Sequence, residues 1–153
     1  MSFQFRFEKF LSMKEKEKES ALNELHLYNQ KKEQAERQLM EWIEKKDRYL
    51  KDYQNLLQQS LKVTDFQERE QYLDFLNKQI ERLKGIVIEM TKEFNRKKKV
   101  LLAKNTEEKI WSSWRDKSLA EYTERTNREE QTMLDEMAVI RFYHTKMQQP
   151  EHL

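Results

Sequence analysis

The 153-residue chain holds 30 basic and 28 acidic residues, a formal charge of +2, with charged side chains at 38% and hydrophobic ones at 37%. A single glycine (Gly85) and a single proline (Pro150) leave too few turn formers for a sheet or a compact α/β fold, and the lack of cysteine excludes disulfides and thiolate chemistry. Charge of both signs is mixed finely along the chain, whereas a nucleic-acid binder gathers its positive charge on one face.

A mean hydropathy of −1.11 would also suit a disordered chain. Against disorder stand 8 Phe, 6 Tyr and 3 Trp, most of them held in a regular register. The chain opens on Phe3, Phe5, Phe7 and Phe10, interrupted by Arg6, Glu8 and Lys9. That start lacks the unbroken apolar core of a secretion signal, and nowhere do about 18 apolar residues run together. The expectation is a mature chain starting near Met1 that does not span a membrane.

A first helix is expected over about residues 3–62. Steps of three and four pick out Phe7, Leu11, Lys14, Lys18, Ala21, Leu25, Tyr28, Lys32, Ala35, Leu39, Trp42, Lys46, Tyr49, Tyr53, Leu56, Ser60 and Val63. Most are apolar, and a 3.5-residue repeat keeps one stripe facing one partner helix. Trp42 and Tyr49 lie on this seam, so they read as core before binding surface. The alternating Lys14 to Glu19 run reads as a solvated face.

A join is expected at about 61–65. Thr64 with Gln67, or Asp65 with Glu68, has capping-box spacing for a new helix, while a stutter in one continuous helix is the alternative. The second helix, about 65–147, continues the stripe as Phe66, Arg69, Leu73, Leu76, Ile80, Leu83, Val87, Met90, Phe94, Lys97 and Leu101. Folded back on the first, it is expected to pair residues whose numbers total about 129. Ala35 would meet Phe94, Leu39 would meet Met90 and Trp42 would meet Val87. Lys32 would face Lys97, with both ammonium groups snorkelling towards Glu33, Glu36 and Glu93.

Beyond Leu101 the stripe turns polar, through Lys104, Glu108, Trp111, Arg115, Ser118 and Tyr122, and is expected to lose its phase. Thr123 to Thr132 contain no apolar side chain, and a new stripe follows at Met133, Met137, Ile140 and Met147. At 1.5 Å per residue the arms measure roughly 90 and 120 Å, so about 123–147 should overhang. The whole is expected to be one coiled-coil domain. Trp111 and Trp114 fit either a protein interface or local packing.

Residues for chemistry are missing. His26, His144 and His152 are far apart with no cysteine to join them, which argues against zinc, and one glycine cannot build a phosphate loop. Carboxylates on an exposed helix keep ordinary acidity. The Arg96 to Lys99 run points four ways around a helix, a solvated surface more than a nucleic-acid patch. No catalytic residue, cofactor or metal is expected.

Three stretches together resemble a known family. These are Phe5-Arg6-Phe7-Glu8-Lys9-Phe10-Leu11, Gln34-Ala35-Glu36-Arg37-Gln38-Leu39, and the closing Arg128-Glu129-Glu130-Gln131 with Leu134-Asp135-Glu136-Met137-Ala138. Their order, with Leu101 to Trp114 between, is similar to the FliJ family of bacterial flagellar export proteins over essentially the whole chain. The resemblance implies an all-α, antiparallel two-helix coiled coil like the central stalk of rotary ATPases. It implies a non-enzymatic part of the flagellar type III export apparatus, cytoplasmic and peripheral to the membrane, without membrane insertion or nucleic-acid binding. The implied partners are the hexameric export ATPase, the membrane export gate and export chaperones.

By position, the resemblance puts gate binding on Gln38, Trp42, Tyr49, Tyr72 and Leu76, with departures at Lys45, Gln79 and Leu83. It puts ATPase binding on Arg128, Gln131, Leu134, Asp135 and Arg141. The related injectisome stalk stays open as an alternative. So do a structural dimer with helices pairing between chains, and a membrane-surface or nucleic-acid helix using the Phe-rich start and Arg96 to Lys99.

Overall fold

The computed structural model describes residues 2–59 and 61–148; Ser60, Pro150 and His152 lie outside the described residues. The chain is an antiparallel helical hairpin of α1 (Glu8–Leu57) and α2 (Val63–Gln148). It divides into two compact units, one of Lys16–Asn105 and one of Met1–Glu15 with Thr106–Leu153.

α1 starts where the Glu8 amide donates to the Phe5 carbonyl at 3.2 Å and the Leu11 amide to the Phe7 carbonyl at 3.0 Å. It closes as Gln59 N–H donates to the Leu56 carbonyl at 3.0 Å. Among the described residues no backbone φ is positive. α2 begins with Phe66 N–H donating to the Lys62 carbonyl at 3.1 Å. Thr64 and Asp65 therefore fall inside the first turn and are not its cap. Asp65 there complements the positive end of the helix dipole.

The heptad stripe is the core. From Phe7 to Leu56 every expected position of the first arm is buried or half-buried. The second arm is the same from Arg69 to Leu101, with Leu76 at 0% and Leu83 at 3% exposure. Val63 and Phe66, at the start of α2, are exposed.

The register differs from the expected one by about a heptad. In the Lys16–Asn105 unit Tyr49 meets Tyr72 (ring centroids 4.6 Å apart), Lys97 pairs with Glu24 at 2.7 Å, and Lys104 pairs with Glu17 at 3.2 Å. In the other unit Phe10 stacks on Trp111 at 5.7 Å and Lys14 pairs with Glu107 at 3.1 Å. Each pair totals about 121, not about 129. The cause is the turn: α1 stops at Leu57 and α2 starts at Val63, which centres the reversal near residue 60. Moving the centre by about four residues slides the arms by about one heptad, and a seven-residue repeat is blind to that slide.

The expected partners change accordingly. Trp42 lies against Phe75, with ring centroids 6.1 Å apart, and not against Val87. Phe94 receives the Lys32 ammonium at 5.0 Å from its ring centre, and a register near 121 sets it about one heptad from the layer expected with Ala35. The expected Leu39–Met90 layer shifts with the rest. No Lys32–Lys97 layer arises: Lys97 reaches Glu24, while Lys32 reaches Glu36 at 3.8 Å.

Nor does the seam lose phase after Leu101. Lys104, Glu108, Trp111, Arg115, Ser118 and Tyr122 are all half-buried at heptad spacing. The contacts become ionic and aromatic instead of aliphatic: Lys104 with Glu17, and in the other unit Lys14 with Glu107 and Arg115 with Glu8 at 3.8 Å. From residue 127 to 148 every residue of α2 is exposed.

Candidate functional site

Within the Lys16–Asn105 unit, aromatic side chains gather near the reversal. Trp42 and Tyr72 both touch Phe75 (6.1 and 6.2 Å), and Tyr49 lies 4.6 Å from Tyr72. Lys45 sits 4.8 Å above the Trp42 ring and Arg69 5.8 Å from the Tyr49 ring, cation–π contacts that order the rims of the patch. Deeper in, Tyr53 is 5% exposed, and its hydroxyl donates to Glu70 at 3.2 Å. Burial first, then the bond to Glu70, raises the Tyr53 phenol above its ordinary value.

Of the residues implied for gate binding, Trp42, Tyr49 and Tyr72 share this patch and are half-buried. Gln38 is exposed, about one helix turn before Trp42. Leu76 is wholly buried and does not face solvent. Phe75, 47% exposed, was missed by sequence reasoning because it falls off the heptad stripe. Its signal was an aromatic residue adjacent to a seam position. Lys45 keeps an aromatic contact through its ammonium group, over the Trp42 ring.

In the other unit, residues 2–7 run ahead of α1, and Phe3 and Phe7 pack on α2. Phe7 lies 5.6 Å from Trp111 and 5.9 Å from Trp114, while Phe3 lies 5.4 Å from Tyr122. Trp111 and Trp114 are thus local packing partners, although Trp114 keeps 52% exposure. Phe3, Arg6, Trp114, Lys117, Tyr122 and Arg125 line an open groove of about 820 Å³.

Beyond this cluster α2 carries the residues implied for ATPase binding. Arg128, Gln131, Leu134, Asp135 and Arg141 are all exposed. Arg128 pairs with Glu124 at 2.5 Å, Gln131 donates to Asp135 at 3.1 Å, and Thr145 donates to the Arg141 carbonyl at 2.9 Å. Each of these bonds joins residues one turn apart and stiffens the helix from its own surface. Large apolar side chains stand among them: Met133, Leu134, Met137, Val139, Ile140, Phe142, Tyr143 and Met147 are each at least half exposed. With about 100° between successive residues they point to every side of the helix.

Among the described residues no group of three or more His, Cys, Asp or Glu is placed to hold a metal, and no helix is long and apolar enough to cross a membrane. What the surface offers is aromatic, aliphatic and ionic contact to other macromolecules.

Residues 3–146 match the family model described as flagellar FliJ protein. The flagellar FliJ protein of Bacillus subtilis (strain 168) is 26% identical over 142 residues, covering 93% of this chain and 97% of that protein. A solved structure described as a YscO homologue from Chlamydia trachomatis superposes with a TM-score of 0.63 at 17% identity, covering 97% of this chain and 100% of that one. That likeness concerns the helical hairpin fold.

Proposed function

Because the chain belongs to the flagellar FliJ family, which makes it a component of flagellar, type III protein export, we propose that it works there as a non-enzymatic stalk between two partners. At one end it engages the hexameric export ATPase through Arg128, Gln131, Leu134, Asp135 and Arg141. At the aromatic patch of Gln38, Trp42, Tyr49 and Tyr72, with Leu76 buried in the same unit, it engages the cytoplasmic part of the membrane export gate. Release and reuse of export chaperones follows from its presence between them. It acts in the cytoplasm and reaches the membrane only through the apparatus.

The observation that carries this reading is the fully exposed stretch 127–148 with apolar side chains on all sides. A helix apolar all round is ordinarily enclosed, since a partner on one side leaves about half of that surface in water. A ring that surrounds the helix covers it completely. Family membership favours the flagellar system over an injectisome.

Pulldown with the export ATPase tests the ring end. Deleting residues 127–148 should abolish capture, and the Arg128→Ala, Arg141→Ala pair should weaken it. Undiminished capture of the deleted chain would assign the ring contact to another surface. A parallel pulldown with the gate's cytoplasmic domain should lose signal for Trp42→Ala and keep it for the deletion.

A further inference from the structure

The exposed stretch of α2 is also complementary to itself. Met133, Met137, Ile140, His144 and Met147 recur at steps of four and three, a coiled-coil stripe, and every one of them is exposed. Charge along this stripe is segregated. Glu129, Glu130, Asp135 and Glu136 precede its midpoint, with Arg128 drawn to Glu124. Arg141 and Lys146 follow it, and no acidic residue stands between Met137 and Gln148.

Two copies laid side by side in the same direction would set acid against acid and base against base. Laid in opposite directions about Ile140, Asp135 and Glu136 of each copy come near Lys146 and Arg141 of the other, and the methionine stripes still close on each other. We propose that, with no other partner bound, the exposed end of α2 pairs antiparallel with the same segment of a second copy of this chain. The dimer is isologous and two-fold, with Ile140 near its axis. Met133 of one copy then lies near Met147 of the other.

The pairing rests on the exposure and charge order of 127–148, and not on the identity of the ring. It has a consequence for the ring all the same. A partner that encloses this helix must first displace the second copy, so self-pairing covers the methionine stripe, though not Leu134, Val139, Phe142 or Tyr143, until that partner arrives.

Sedimentation velocity of the full purified chain tests the proposal. A concentration-dependent monomer–dimer equilibrium is expected, and Met137→Glu with Ile140→Glu should weaken it at least about tenfold. Reversing the basic half with Arg141→Glu and Lys146→Glu should weaken it too. Mixing that variant with one carrying Glu129→Lys, Glu130→Lys, Asp135→Lys and Glu136→Lys should restore dimers. Because the chain has no native cysteine, orientation can be read directly. Chains with Met133→Cys mixed with chains with Met147→Cys should oxidise mainly to the mixed disulfide. A chain that stays monomeric at every concentration, or homodisulfides in place of the mixed one, would overturn the proposal; neither result depends on ATPase capture.

Discussion

Two stretches of α2, residues 66–101 and 127–148, have comparable helix-forming character and opposite fates. In the first, Leu73, Leu76, Ile80, Leu83 and Val87 stand on one stripe, so a single facing helix covers them. Leu76 and Leu83 are left almost without exposure, while Ile88 and Val100, off the stripe, stay exposed. In the second, apolar residues occupy every side, and none is covered. Apolar content therefore does not decide burial here; its angular arrangement does. The first stretch stores its hydrophobic free energy within the fold. The second leaves it available for association.

That contrast can be tested by substitution. An all-or-none outcome is expected from cross-linking the first stretch to its partner arm. Tyr49→Cys with Tyr72→Cys should oxidise to an intramolecular disulfide, whereas Tyr49→Cys with Ile80→Cys, the pairing of the expected register, should not. The opposite result would restore the register total of about 129.

Truncation of the buried stripe comes next. Leu76→Ala should cost about 2–5 kcal/mol in urea unfolding followed by helical circular dichroism, through lost burial and the cavity left behind. A loss below about 0.5 kcal/mol would mean that the stripe does not hold the arms together.

Gly85→Ala should shift stability the other way. Gly85 is exposed inside α2, and nothing lies within 4 Å of where a Cβ would stand. Removing the backbone freedom of glycine should add about 0.5–1 kcal/mol. Destabilisation would reveal a close neighbour at that position. The smallest effect is expected at the exposed stretch: Met137→Ser with Ile140→Ser should leave unfolding within about 0.5 kcal/mol of the parent while weakening ATPase capture. A large loss of stability there would make this end part of the core.

The sequence made much of this legible, and the reasons differ from residue to residue. The identity of the seam, from Phe7 to Leu56 and from Arg69 to Leu101, followed from periodicity because burial tracks the heptad directly. The register did not, because sliding by seven residues preserves every apolar match. Only the turn breaks that degeneracy, and a turn whose sequence holds neither glycine nor proline carries little signal. The polar continuation from Lys104 to Tyr122 was misread as lost phase for a related reason. Heptad reading counts apolar residues, while Lys104–Glu17 and Lys14–Glu107 hold the same geometry through charge. Half-exposed pairs of this kind contribute little stability but do discriminate between registers. Of the candidate site, Trp42 and Tyr49 lie on the stripe, Tyr72 came only through the family resemblance, and Phe75, which also lies beside the stripe, came through neither.

Hydrogen exchange of the full chain, alone and with the hexameric export ATPase, measures the central contrast most directly. Amides across 127–148 should gain protection when the ring is added, while those around Leu76 to Leu83, already covered by the partner arm, should not change. Unaltered exchange over 127–148 in a ring-bound sample, or new protection confined to the aromatic patch, would contradict the assignment of the exposed helix to the ring.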